Sequence, residues 1–279
     1  MNPTQHHFQG RRIAILGAGW LGRRIAEQAI QYGMEVSTLT RNAQTTEALR
    51  NIGVHNPVIA QLHSNLWHEQ LSRDQDFVVN CVSSAGNDLE GYRQSYVDGN
   101  QSILEWACSD HPANFAYTSS TSVFPQTDGE SVDETSTSAE VSKSGQILLE
   151  AEDLLHRQSP FAHTTILRLS GLYGPGRHYL LNLIREGCEE LPGQGDFLLN
   201  LLHIEDACSA VWAALGMIKE TGGQGDRGKV ETYNVTDGNP ATKAEIVEWL
   251  ASQLGRPRPR FNPEANPRRS PIRRPGDKM

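Results

Sequence analysis

The chain has 279 residues, 37% of them hydrophobic and 21% charged, enough for one α/β core and a smaller lobe. Its formal net charge is −8; residues 256–279 hold seven Arg and one Lys against Glu264 and Asp277, so the body is markedly acidic, which argues against a nucleic-acid binder. No run of about 18 apolar residues is present to span a membrane, Met1–Gly10 lacks the apolar stretch of a secretory signal, and Cys81, Cys108, Cys188 and Cys208 lie too far apart for a disulfide framework or a metal site, so a cytoplasmic protein is expected.

Ile13-Ala-Ile-Leu16 is an apolar run fit for a buried strand, and it leads directly into Gly17-x-Gly19-x-x-Gly22. Gly17 suits a tight turn, Gly19 lets a backbone approach a pyrophosphate, and Gly22 lets the next helix pack closely. The helix, about Trp20 to Tyr32, presents its N-terminal amides, those of Trp20, Leu21 and Gly22 first, to the phosphates. Glu35–Leu39 reads as a second strand, Thr45–Asn51 as a helix and Pro57–Ala60 as a third strand. Phe77–Val82 reads as a buried fourth strand and Tyr92–Cys108 as a long helix. Asn114–Ser119, a helix over Ser144–His156 and Thr165–Leu169 follow. Strands alternating with helices predict a Rossmann-type, doubly wound parallel sheet. Beyond Tyr173 the pattern loosens, with helices expected at Leu180–Glu186, Ala207–Met217 and Lys243–Leu254 and a short strand at Tyr233–Val235. The expected organisation is a dinucleotide-binding domain over 11–173 and a mixed segment over 174–260 that completes the sheet and forms a small C-terminal substrate lobe. A disordered or truncated tail is expected over 261–279.

The second strand decides the cofactor. A carboxylate about 20 positions past the glycines would bond the ribose hydroxyls of NAD, whereas a nearby Arg accommodates the 2′-phosphate of NADP. No carboxylate lies between Val36 and Thr45; Thr40 and Arg41 stand there instead. NADP is favoured, with NAD the alternative. A solvated loop arginine is the competing reading of Arg41. After the fourth strand, Ser83 and Ser84, followed by Ala85-Gly86, would line the nicotinamide ribose.

Tyr117-Thr-Ser-Ser120-Thr-Ser-Val-Phe124 resembles the Ser-Ser-x-x-Val-Tyr signature of the extended short-chain dehydrogenase/reductases, the NAD-dependent epimerase/dehydratase family. Asn100 matches the Asn of that family's fourth helix. Arg168-Leu-Ser-Gly-Leu-Tyr173-Gly-Pro-Gly-Arg177 is similar to its Arg-x-x-x-x-Tyr-Gly-Pro-Gly segment. Asn200-x-x-His203-x-x-Asp206 and Tyr233-Asn-Val235 fit its later motifs. The resemblance implies hydride chemistry in which a Tyr phenol, its pKa lowered from ~10 by a Lys four residues on, carries a proton. Aligned on Glu150, the Tyr position falls on Ser142 and the Lys position on Gln146; Ser136–Glu150 contains no Tyr in any register, and its only cation is Lys143. The pattern of Ser-Ser-Thr-Ser-Val, Asp133-Glu-Thr135 and Ser144-Gly-x-x-Leu148-x-x-x-Glu152 looks like an atypical subgroup described only as NAD(P)-binding.

Within that resemblance Ser120 is the candidate donor to a substrate oxygen, or else a strand-end hydroxyl capping nearby backbone. Asn100 and Gln146 are candidate cofactor contacts, although a neutral amide cannot shift a neighbour's pKa as a cation does. Tyr173 is a candidate proton carrier or a packed strand-end residue. The arginines of 256–274 either clamp a phosphorylated substrate or belong to an extended tail rich in proline. Two functions follow: an NADP-dependent oxidoreductase or epimerase-like enzyme acting on a small or nucleotide-linked carbonyl or hydroxyl compound, or a non-catalytic protein that senses NADPH. No metal, nucleic acid or membrane partner is expected, and the resemblance implies a homodimer through the helices Tyr92–Cys108 and Ser144–His156.

Overall fold

The computed structural model describes residues 7–84, 88–107, 113–126, 129–136, 138–216 and 228–265. Its elements run β1 (Arg12–Leu16), α1 (Trp20–Gln31), β2 (Glu35–Thr40), α2 (Ala43–Asn51), β3 (Asn56–Ile59), β4 (Phe77–Asn80), α3 (Leu89–Trp106), β5 (Asn114–Ser120), α4 (Lys143–Gln158), β6 (His163–Leu169), β7 (Gly171–Tyr173), α5 (Tyr179–Arg185), β8 (Glu190–Pro192), β9 (Leu198–Leu199), β10 (Leu201–His203), α6 (Ile204–Gly216), β11 (Lys229–Val235), β12 (Ala241–Thr242), α7 (Lys243–Leu254) and β13 (Arg260–Asn262). The chain forms two units, one of Met1–Pro125, Val132–Ser170 and Ile204–Val235, the other of Gln126–Ser131, Gly171–His203 and Thr236–Met279.

In the first unit seven strands lie in the order β11-β6-β5-β4-β1-β2-β3, all parallel. The Rossmann-type sheet read from the sequence is present. Ile13 to Leu16 and Phe77 to Val79 are essentially inaccessible, as strands covered on both faces must be. Consecutive strands run outward from β1 to β3 on one side, and β4 starts the other side, so the crevice for a ligand falls between β1 and β4. On one face Trp67 and Trp106 meet at 5.0 Å, and each indole N–H donates to a backbone carbonyl, Leu62 O and Leu71 O. Burying each such ring contributes roughly 1.5–3 kcal/mol. Helix α3 begins at Leu89 rather than at Tyr92 because Asp88 caps it, accepting from the Gly91 amide at 2.7 Å. Strand β11 is seven residues long, not three, because it pairs with β6 throughout from Lys229↔His163 to Val235↔Leu169.

The second unit holds three two-stranded pairs, β7 with β10, β8 with β13 and β9 with β12. Helices α5 and α7 share a small core of Leu180, Leu183, Ile184, Leu191, Val247 and Leu250. Thr242 and Glu245 close a capping box at the start of α7.

Cys108, Ala85-Gly86, Met217 and residues 266–279 lie outside the described residues. Cys81, Cys188 and Cys208 are free thiols. Burial pushes both Cys81 and Cys208 up to about 12. Peptide-level labelling with iodoacetamide at pH 8 is therefore expected to spare these two in the folded protein and to reach them in urea, since the thiolate is the reactive form. No described helix is long and apolar enough to cross a membrane.

Candidate functional site

The glycine turn sits at the C-terminal end of β1, and its three glycines are required for different reasons. Gly17 has φ +96°, and a Cβ there would lie 2.6 Å from Val82 N on the loop after β4. A Cβ on Gly22 would stand 2.3 Å from Gly17 O and 2.9 Å from Cys81 Sγ. Both positions are closed by the protein itself. Gly19 has φ −79° and nothing within 4 Å of its Cβ position. That position is open, as it must be where a pyrophosphate approaches. Gly19 is also the N-cap of α1, which has no side-chain cap and no acidic residue in its first turn. Backbone amides and the positive end of the helix dipole face the open position. These residues fit a dinucleotide.

Strand β2 ends at the neighbouring edge of this crevice, pairing with β1 up to Leu16↔Leu39. Thr40 is buried, and its hydroxyl accepts the Asn42 amide at 3.2 Å, leaving its own proton to donate. Asn42 in turn caps α2 through the Gln44 amide. Arg41 is exposed and makes no ion pair with a described residue, so its guanidinium is at liberty for an anion.

On the other side of β1, the Cys81–Ser84 loop leaves β4. Ser83 is exposed and Ser84 half-buried. Asn100 lies deeper, at zero exposure; its Oδ1 accepts from Asn80 Nδ2 at 2.8 Å and its Nδ2 donates to Ala151 O at 3.4 Å. Its amide is engaged with protein on both sides, so it shapes the loop from below.

At the end of β5, Ser120 Oγ accepts from the Ser122 amide and from Ser122 Oγ at 3.0 Å, within the 3-10 turn Thr121–Val123. Helix α4 packs against that turn so closely that a Cβ on Gly145 would lie 2.7 Å from Ser122 O. Ser142 caps this helix through the Gly145 amide, and its hydroxyl lies 3.1 Å from that of Ser144. Gln146 is exposed, donating to Val141 O, on the same outward face as Lys143 and Glu150. The inward face instead carries Gly145, Leu148 and Glu152. No phenol or amine of α4 therefore points toward the sheet.

What α4 does contribute inward is a carboxylate that sequence reading did not assign. Glu152 is 3% exposed and is held by Arg168 of β6, 8% exposed, through Nη2 at 2.7 Å and Nε at 3.1 Å. Ser119 donates to the same carboxylate, and the Arg168 guanidinium lies 5.2 Å from the centre of the Phe124 ring. Arg168 also reaches Glu134 O, and the Glu134 carboxylate accepts the Asn234 amide of β11 at 2.6 Å. The pair thus holds the chain on both sides of Ser120. Both residues were visible within quoted motifs; only their pairing was not.

Tyr173 belongs to the second unit, where its ring meets those of His178 at 5.3 Å and His203 at 5.2 Å. His178 caps α5, its Nδ1 accepting the Leu181 amide. Burial lowers its pKa, which keeps that nitrogen an acceptor.

Comparison with known proteins agrees with this geometry. Protein YeeZ of Escherichia coli strain K12 is 31% identical over 206 residues, covering 72% of each chain. A solved structure from Methylobacillus flagellatus, described as an NAD-dependent epimerase/dehydratase, is 28% identical with a TM-score of 0.66, over 92% of this chain and 85% of that one. The dTDP-glucose 4,6-dehydratase of Bacillus anthracis, solved in complex with NAD, shares the fold at 19% identity and a TM-score of 0.71, over 92% and 86% of the two chains. The profile of the NAD dependent epimerase/dehydratase family matches residues 13–235, spanning every strand of the seven-stranded sheet from Ile13 onward. The chain belongs to the NAD-dependent epimerase/dehydratase family.

Proposed function

We propose that the protein binds NADP and acts as an oxidoreductase or epimerase-like enzyme on a small or nucleotide-linked carbonyl or hydroxyl compound. The observation that carries this reading is the open Gly19 position at an uncapped helix start, beside a β2 end that offers Arg41 and no carboxylate. The amides of Trp20, Leu21 and Gly22 at the start of α1 would hold the pyrophosphate across the open Gly19 position, while the Gly17 and Gly19 amides close the turn on Leu39 O and Gly17 O. Thr40 and Arg41 would hold the 2′-phosphate, and Ser83 and Ser84 would line the nicotinamide half. NADP supplies or accepts a hydride at a substrate carbon. Ser120 would donate a hydrogen bond to the substrate oxygen, with the proton carried by water. A non-catalytic NADPH-reading protein is the second reading, and the apolar Leu148 on the inward face of α4 favours it.

Fluorescence titration separates the cofactors. Wild type is expected to bind NADPH more tightly than NADH. Arg41→Ala should weaken NADPH by about 10- to 100-fold, the worth of hydrogen bonds to a charged phosphate, and leave NADH unchanged. Absence of binding to either cofactor below millimolar concentration removes both readings. NADPH consumption with any member of a panel of aldehydes, ketones and nucleotide-linked keto-sugars would decide for the enzyme.

A further inference from the structure

The loop after β4 forms one wall of the crevice, because the backbone at Cys81 and Val82 lies directly against Gly17. A chain of side-chain amides places that wall. Asn80, 1% exposed, bonds its own backbone two residues on: its Oδ1 accepts the Val82 N–H at 3.1 Å, and that nitrogen is the atom a Cβ on Gly17 would meet first. Asn80 Nδ2 donates to Asn100 Oδ1 of α3 at 2.8 Å, and Asn100 Nδ2 donates to Ala151 O of α4 at 3.4 Å. Backbone fixes the direction of the chain at both ends, since the Val82 N–H can only donate and the Ala151 carbonyl can only accept. Across the sheet Asn80 lies beside Leu16 of β1 and Tyr117 of β5, and the Thr118 hydroxyl donates to its carbonyl at 3.2 Å. Burial keeps the Tyr117 phenol neutral, so none of these partners carries a charge.

We propose that Asn80 is a positioning residue for the dinucleotide, holding the Val82 wall against the glycine turn from a chain anchored on α4. This rests on the dinucleotide reading above and adds to it a residue outside the glycine turn, acting through the Val82 backbone. An acceptor alone does not suffice there. With Asn80→Asp, the ionised carboxylate still takes the Val82 N–H, but its other oxygen faces Asn100 Oδ1. If the Asn100 amide turns over to donate, its own oxygen then faces Ala151 O. Protonating the carboxyl restores the missing donor and the whole chain. Burial and the facing oxygen both disfavour the charged form, which raises that carboxyl above its ordinary ~4. The intact chain is therefore present below the raised pKa and lost as pH climbs through it.

The test is calorimetric titration of full-chain wild type, Asn80→Asp and Asn80→Ala with NADP, at about pH 6 and about pH 8.5, on protein shown to be folded by circular dichroism. Each variant is read as a ratio to wild type at the same pH, so that titration of the cofactor's own phosphate, with its pKa near ~6, cancels. For Asn80→Asp the dissociation constant is expected to be about tenfold above wild type at the higher pH, the scale of one lost hydrogen bond, and to return to wild type at the lower. Asn80→Ala has no proton to regain and should stay about tenfold weaker at both. An Asn80→Asp ratio that does not change with pH overturns the proposal, as does wild-type affinity in Asn80→Ala. Hydrogen exchange at Val82 in the wild type decides the matter if a variant does not fold: its amide should be as slow as those of β4, and exchange at the rate of an open loop overturns the proposal. Failure of the wild type to bind NADP would instead overturn the dinucleotide reading itself.

Discussion

Gly19→Ala is expected to fold as wild type and to bind NADPH about a hundredfold more weakly. The backbone at Gly19 has an ordinary negative φ, and an added Cβ meets nothing within 4 Å, so the apo protein has no reason to resist it. The methyl group would instead occupy the space through which phosphate oxygens approach the amides of α1. Losing charge-assisted hydrogen bonds worth ~3 kcal/mol corresponds to that hundredfold. Gly22→Ala should behave in the opposite way. Its Cβ collides with Gly17 O and Cys81 Sγ, neither of which can move without shifting the turn or β4, so destabilisation of at least ~1–3 kcal/mol is expected before any ligand is added. Thermal unfolding of both apo variants beside NADPH titration tests the contrast. Wild-type affinity in a folded Gly19→Ala would show that the turn does not hold a phosphate.

Arg168→Leu carries the largest expected cost to stability. It leaves the Glu152 carboxylate buried with only Ser119 to bond it, and an uncompensated buried charge costs about 3–5 kcal/mol. The double variant Glu152→Leu/Arg168→Met removes both charges and should recover much of the loss, because apolar replacement of a whole buried pair is often close to neutral. Urea unfolding of wild type, single and double variants gives the comparison. A single-variant cost below ~1 kcal/mol would mean that water reaches the pair and that it does not fix the Ser120 turn.

The glycine turn and the alternation of β1 through β6 were legible in the sequence because both depend on local pattern. An apolar run, a positive-φ turn and a helical spacing lie within a few residues of one another, and Lys243–Leu254 was legible for the same reason. The second unit was not. Strands of two and three residues, such as Leu198–Leu199 and Glu190–Pro192, are too short to show a period, and their partners lie 42 to 44 and 70 positions away. The inward face of α4 was also hidden. Glu150 and Glu152 are equally acidic in sequence, and only their partners distinguish them: Arg93 meets Glu150 outside, while Arg168 meets Glu152 within the core. Choosing Glu150 as the landmark brought Gln146 to the Lys position, whereas the residues that turn inward are Leu148 and Glu152. For the same reason Asn100 could be picked out from its place on α3, but its engagement with Asn80 and Ala151 could not.

The pairing of β11 with β6 has a consequence for the newly made chain. Lys229 lies against His163, so roughly 66 residues must be synthesised after β6 begins before its outer edge can be covered, several seconds at ~5–20 residues per second. Over that interval the nascent sheet ends in an open ladder of amides and carbonyls, and the intervening stretch Gly171–His203 folds with the other unit. Chaperone engagement during translation would fall within that window, and a ribosome-bound chain halted before Lys229 would be the form of this protein most prone to pair with a second copy of itself.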